Sequence, residues 1–186
     1  LSSFGVVITA LLTGVFCYLA LGMDIVGGML IGACLGSTDA ATVFSILRGK
    51  KLNLKYNTAS LLEVESGSND PFAYMMTMIV LSFMQNAGSA SDMALMLFKQ
   101  LFIGAALGAM IAVLAWLILK KVKFSAAGLD SVYMVAIALL AYAAPAVLGG
   151  NGYLSAYIVG IFLGNRPIPG KRNLVHFFDG VTGLLQ

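Results

Sequence analysis

The sequence predicts an all-α polytopic membrane protein, and three observations support this fold class. First, 60% of its 186 residues are hydrophobic and 10% are charged, a balance that no ordinary soluble domain of this length shows. Second, several apolar runs approach or exceed the roughly 18 residues that cross a hydrocarbon core about 30 Å thick. Third, these runs lack the alternating polarity of a transmembrane β-strand. Because helices satisfy their own backbone groups in lipid, helices are the expected element.

Short polar or glycine-rich stretches divide the chain into about six complete predicted transmembrane helices and part of a seventh. In chain order the spans are 4–21, 25–47, 59–82, 94–119, 131–148 and 152–164, with a seventh beginning near Leu174. The stretches that separate them lie around Asp24 and at 48–58, 85–92, 120–129, 149–152 and 165–173. Because the chain lacks an initiator Met and both its ends fall at apolar runs, we expect residues 1–186 to be a partial transmembrane domain, truncated at both ends.

The basic residues predict the orientation of these spans. Ten of the eleven Lys and Arg fall in the loops 48–58, 120–129 and 165–173, which lie on one side if each span crosses once. The positive-inside rule makes that side cytoplasmic in a multi-pass protein of the cell (inner) membrane. The exception, Lys99, lies near the outer end of its span, where its long side chain can extend to the interface.

Three carboxylates, those of Asp39, Glu65 and Asp70, lie deep within predicted spans. Each ionised side chain near the bilayer centre costs roughly 2.5 to 3.5 kcal/mol on insertion scales, so a functional reason is expected. Counted from the basic loop that both spans share, Asp39 is about 12 Å deep and Asp70 about 17 Å deep at the helical rise. The two aspartates can therefore meet near the middle of the membrane.

The third predicted span carries a polar stripe. The helical period places four of its residues on one face: Glu65, Ser66, Asn69 and Asp70. The second span carries Gly36–Asp39 inside an otherwise apolar run. A break in that helix would direct backbone carbonyls and the side chains of Thr38 and Asp39 toward the stripe.

Oxygen ligands at this depth suit a hard monovalent cation or a proton, and the sequence has no Cys/His cluster for a transition metal. Desolvation favours the neutral form of a buried carboxylate, whereas a bound cation favours its charged form. A proton and a cation would therefore compete for one group. We expect Ser37, Thr42 and Ser68 to serve only in interhelical hydrogen bonds.

The motifs GSTDAA (36–41) and LEVESGSNDP (62–71) resemble those of the NhaP-type branch of monovalent cation/proton antiporters, which includes the sodium/proton exchangers. The span end at Gly164-Asn165 and the segment 177–180 extend the likeness over the chain. The resemblance implies a portion of an inverted-repeat antiporter fold, a homodimer and an elevator-like movement of the core. It also implies exchange of Na+ or K+ for H+ with no further cofactor.

By that resemblance, Asp70 binds cation and proton alternately. Thr38 and Ser66 supply further oxygens to the monovalent metal cation, and Asp39 supports the site directly or through water.

Two supporting roles also follow from the resemblance. Asn69 occupies the place where the electrogenic branch has a second Asp, which implies electroneutral exchange. Glu65 is expected to pair with an Arg on a later span, in the missing remainder of the transport domain.

Other functions compete with antiport. A cation channel or a cation-sensing membrane protein could use the same scaffold. An intramembrane aspartyl protease also needs two acids in adjacent spans, but its Tyr-Asp and Gly-x-Gly-Asp motifs are absent from this sequence. The sequence therefore favours a secondary transporter over an enzyme, with the lipid bilayer and a second copy of the chain as partners, and no nucleic acid.

Overall fold

The chain is helical wherever the computed structural model assigns regular structure. The structure describes residues 2–39, 42, 55, 58–85, 89–122 and 128–185. Within these ranges the helices are α1 (Ser2–Leu21), α2 (Ile25–Leu35), α3 (Thr58–Met84), α4 (Ala90–Lys121), α5 (Leu129–Val147), α6 (Gly152–Gly164) and α7 (Lys171–Leu185). The predicted all-α fold class is confirmed, and each predicted span has a corresponding helix.

The second predicted span is interrupted. Helix α2 begins after Asp24, whose side chain accepts hydrogen bonds from the N–H groups of Val26 and Gly27 at 3.1 and 3.2 Å. It ends at Leu35, Gly36 forms its C-cap, and Ser37–Asp39 are not helical. The expected break at Gly36–Asp39 is therefore present. Residues 40–41 and 43–54, which complete this span and begin the first basic loop, lie outside the described residues.

Three of the described helices are long and apolar enough to cross a membrane: α1, α5 and the Ser91–Lys121 part of α4. Helices α2 and α6 are apolar but shorter. Helix α3 has 27 residues, about 40 Å at the helical rise, which is long enough to cross. Its polar stripe lowers its mean hydropathy, because the side chains that could form a site replace apolar ones.

The chain divides into two compact units, Leu1–Phe98 and Lys99–Gln186. In the first unit α1, α2 and α3 pack on one another. Small residues let α1 and α2 touch along their backbones. A Cβ added at Gly32 would lie 2.7 Å from both the Cα and the carbonyl oxygen of Ala10, and one at Gly28 would lie 2.9 Å from the carbonyl oxygen of Gly14. Such close approach is typical of membrane helices.

In the second unit, α5 and α6 pack on the part of α4 that belongs to this unit. The buried core is built from Ile111, Ala112, Ala115, Leu119, Ala141, Val159 and Leu163. Asn151 caps α6, because its side-chain oxygen accepts a hydrogen bond from the N–H of Leu154 at 3.0 Å. Gly108 of α4 faces Ser155 so closely that a Cβ there would lie 2.8 Å from the Ser155 Cα. Here too, small residues set the distance between two helices.

The contact between Gly32 and Ala10 can be tested by adding one methyl group. Gly32→Ala should destabilise the full-length protein by about 1 to 3 kcal/mol, because the backbones must separate. We expect its Tm, measured by thermal unfolding in detergent, to fall by several degrees. Gly27→Ala on the same helix is the matched control, since a Cβ there has nothing within 4 Å. An equal loss in both variants would contradict the packing described.

Candidate ion-binding site

The break after α2 places Thr38 against the polar stripe of α3. The Thr38 hydroxyl donates to the Ser66 Oγ at 3.1 Å, and the Ser66 hydroxyl donates to the Thr38 carbonyl oxygen at 3.2 Å. Ser66 is 1% exposed. The break thus supplies a backbone carbonyl and a hydroxyl, and the helix supplies the matching hydroxyl. These bonds bring together two of the predicted ion ligands, Thr38 and Ser66.

Asn69 joins the same two segments through both ends of its amide. Its Nδ2 donates to the Thr38 Oγ1 at 2.5 Å, and its Oδ1 accepts from the Ser37 hydroxyl at 3.4 Å. The side chain is 2% exposed, so these bonds satisfy polar atoms that would otherwise be costly to bury. A carboxylate here could accept but could not donate in its ionised form. The neutral amide is therefore suited to holding the break against α3.

Asp70 also accepts a hydrogen bond from a residue of the break. The Ser37 hydroxyl donates to the Asp70 Oδ1, and this bond lies next to the one with Asn69. We expected Ser37 to form only an interhelical bond. The bond is interhelical, but its acceptor is the carboxylate at the centre of the predicted site. The sequence signal for this role was the position of Ser37 in the polar break, directly before Thr38.

Asp39 lies in the same non-helical segment and is exposed. Its Oδ2 accepts a hydrogen bond from the Thr42 hydroxyl, three residues further along the chain. Hydrogen bonds of Ser37 and Thr38 join the break to the stripe. The supporting role of Asp39 stays a prediction.

Glu65 begins the stripe and is partly buried. Its backbone carbonyl accepts a hydrogen bond from the Ser68 hydroxyl at 3.0 Å, so the described bond of Ser68 lies within α3 and is not interhelical as expected. Its expected pairing with an Arg of a later span stays a prediction.

Pro71 lies inside α3, directly after Asp70. Because proline has no backbone N–H, the carbonyl of Gly67 loses its usual helical donor. The helix continues through this point, with that one helical hydrogen bond missing next to Asn69 and Asp70.

The hydrogen bonds between the break and α3 join one carboxylate, three hydroxyls, an amide and a backbone carbonyl. The Asp39 carboxylate lies in the same break and accepts from Thr42. Such oxygens suit a hard cation. Within the described ranges, no group of three or more His, Cys, Asp or Glu comes together to hold a metal ion. A single carboxylate among neutral oxygens matches the charge of a monovalent cation or of a proton.

The chain is similar to known proteins over nearly its whole length. Residues 1–185 match the family model described as sodium/hydrogen exchanger, transmembrane. The chain is 41% identical over 189 residues to the "K(+)/H(+) antiporter NhaP2" of Shewanella oneidensis and 36% identical over 187 residues to the "K(+)/H(+) antiporter NhaP" of Alkalimonas amylolytica. Both matches cover 100% of this chain and 32% of the relative.

A more distant relative is the "Probable Na(+)/H(+) antiporter 2" of Methanocaldococcus jannaschii. It is 29% identical over 151 residues, which are 78% of this chain and 35% of the relative. The chain therefore spans about a third of the length of the curated relatives it matches.

Replacing Ser37 tests its place in the site. Ser37→Ala removes a hydrogen bond to a carboxylate, worth about 1.5 kcal/mol. We expect the apparent KM for the bound cation to rise about tenfold, with the maximal rate within twofold of wild type. Ser68→Ala is the control, because the Ser68 hydroxyl bonds the Glu65 carbonyl on its own helix. Equal KM values for Ser37→Ala and wild type would remove Ser37 from the site.

Proposed function

The chain belongs to the sodium/hydrogen exchanger family, and we propose that the whole protein exchanges one monovalent cation, Na+ or K+, for one proton across the membrane. The observation that carries the proposal is the hydrogen-bonded cluster in which the break after α2 meets Asp70. Its relatives are named antiporters, which are transporters and not enzymes. Asp70, Thr38 and Ser66 would hold the cation, with Asn69, Asp39 and Glu65 in support.

The charge of this cluster accounts for exchange. Asp70 is neutral when it carries a proton, and its charge is balanced when a monovalent cation is bound. The unloaded carboxylate is charged, and moving it through the bilayer costs roughly 2.5 to 3.5 kcal/mol. That cost makes movement of the empty site roughly a hundredfold rarer. Cation and proton are thereby coupled, because the site moves only when one of them is bound.

The neutral Asn69 supports electroneutral exchange. It adds no second titratable group beside Asp70, so the proton-loaded and cation-loaded clusters carry the same charge. One cation then replaces one proton in each cycle.

Of the two cations, we favour K+. The relatives named K(+)/H(+) antiporters are 36% and 41% identical over the whole chain, whereas the one named for Na+ is 29% identical over 78% of it.

The chain is an integral membrane protein, and we propose that it lies in the cell (inner) membrane with its basic loops cytoplasmic. Within the second unit, a Cβ at Gly170 would lie 3.1 Å from the Asp130 Oδ2, so the start of α5 lies beside the segment before α7. This contact supports a common side of the membrane for the start of α5 and the loop 165–173. Residues 123–127 and most of the loop 48–58 lie outside the described residues. Assembly as a homodimer, which the family resemblance implies, completes the proposal.

Replacing Asp70 tests the reaction itself. Asp70→Asn in the full-length protein keeps the shape of the side chain but removes the group that both ions need. We expect it to abolish the collapse of a proton gradient that added cation causes in inverted vesicles. Asp92→Asn, at an exposed carboxylate in the first turn of α4, should leave the rate near that of wild type.

A near wild-type rate in Asp70→Asn would contradict the proposed mechanism. Cation flux that continues without any proton movement would instead indicate a channel.

The choice of cation can be measured in the same vesicles. We expect K+ to give the lowest apparent KM in a series of Li+, Na+ and K+ chlorides. A lower KM for Na+ would reverse the preference and leave the exchange mechanism intact. Choline chloride at the same concentration controls for ionic strength.

A further inference from the structure

Two cations, one at the end of α4 and one just after α6, lie over one tryptophan in the second unit. The Lys120 Nζ is 5.3 Å from the centroid of the Trp116 ring, and the Arg166 Cζ is 5.4 Å from it. Arg166 also lies over Phe162, at 4.9 Å. The two rings meet edge to face, with centroids 6.4 Å apart. The electron-rich faces of the rings attract both cations and limit where they can move.

Further positive charge surrounds this pair. Lys121, Lys171 and Arg172 lie at the same end of the unit, where α4 and α6 end and α7 begins. The Lys171 ammonium donates to the carbonyl oxygens of Gly164 and Arg166. Among the described residues at these helix ends, the one carboxylate is Asp130, whose Oδ1 accepts a hydrogen bond from the Ser131 N–H at 2.9 Å. The described residues at this end of the unit therefore include five cations and one carboxylate.

Such an arrangement favours an anionic ligand. Like charges that share one ring repel each other, and a nearby anion relieves the repulsion. Arg binds a phosphate through two parallel hydrogen bonds, and Lys adds a compact charge. The position is suited to a lipid, because Trp, Lys and Arg at the ends of spanning helices lie at the headgroup level.

Apolar side chains continue from the same place toward the middle of the helices. Val113 lies one turn before Trp116 on α4, and Ile161 directly precedes Phe162 on α6. They are 41% and 45% exposed. An acyl chain could lie against them while its headgroup contacts the cations, whereas a free phosphate ion would use the cations alone.

We propose that Lys120 and Arg166, held over the Trp116 ring, bind the headgroup of an anionic phospholipid at the membrane surface. Basic pockets between transmembrane helices on the cytoplasmic side bind such headgroups. The inference rests on the placement of this end at the membrane surface and is independent of ion exchange.

The experiment measures lipid binding without transport. Full-length protein is placed in nanodiscs of phosphatidylcholine with increasing mole fractions of phosphatidylglycerol, and its Tm is recorded at each fraction. We expect Tm to rise with phosphatidylglycerol in the wild type. In the double variant Lys120→Gln/Arg166→Gln, most of this Tm rise should be lost over the same range of mole fractions.

The matched control is Lys121→Gln/Arg172→Gln. It removes the same charge from the same end but leaves the cations over Trp116 in place, so most of the Tm rise should remain. Equal losses of the Tm rise in both double variants would overturn the proposal, since they would indicate a diffuse surface charge. An equal Tm rise with inorganic phosphate in phosphatidylcholine nanodiscs would overturn it in favour of a free-anion site. No rise with phosphatidylglycerol would also overturn it.

Discussion

Polar groups buried in lipid must be satisfied by other parts of the protein, and the candidate site depends on this constraint. Helix α2 ends at Leu35, within an apolar run, and leaves the backbone and side chains of Ser37 and Thr38 outside any helix. The buried face of α3 has the complementary need, since Ser66 and Asn69 are almost fully enclosed. The polar groups of the break and those of α3 therefore satisfy each other's hydrogen bonds. An unbroken α2 would leave the stripe of α3 without partners.

The packing of α1 supports this arrangement. Gly28 and Gly32 bring α2 into backbone contact with α1. Val6 of α1 is 1% exposed and packs against the C-cap of α2. A Cβ added at Gly36 would lie 3.3 Å from the Val6 Cγ1. Helix α3 packs against both. In lipid, where helices gain little from hydrophobic burial, close van der Waals contact of this kind is the main source of association. The break is therefore held from behind by α1 while it faces α3.

The composition of the cluster bears on its chemistry. A second carboxylate in place of Asn69 would attract a cation more strongly, but it would also have to be neutralised in each state. The amide instead gives one donor and one acceptor to the break. Asp70 is then the charged member of a group of neutral oxygens. Binding strength is limited in such a site, which suits a transporter that must release its ion.

The sequence by itself determined the fold class, the spans and the stripe on α3. These follow from hydropathy and from the helical period, which depend on residues close together in the chain. It also indicated the break, because Gly36–Asp39 interrupt an apolar run.

The tertiary structure alone decided which polar groups meet. These contacts depend on how segments distant in sequence are rotated against each other. Examples are the bond of Ser37 to Asp70, the bonds of Asn69 to Ser37 and Thr38, and the Trp116 ring that Arg166 shares with Lys120. Rotation is set by the shapes of the packed surfaces, such as the glycine contacts between α1 and α2. No local sequence pattern encodes it.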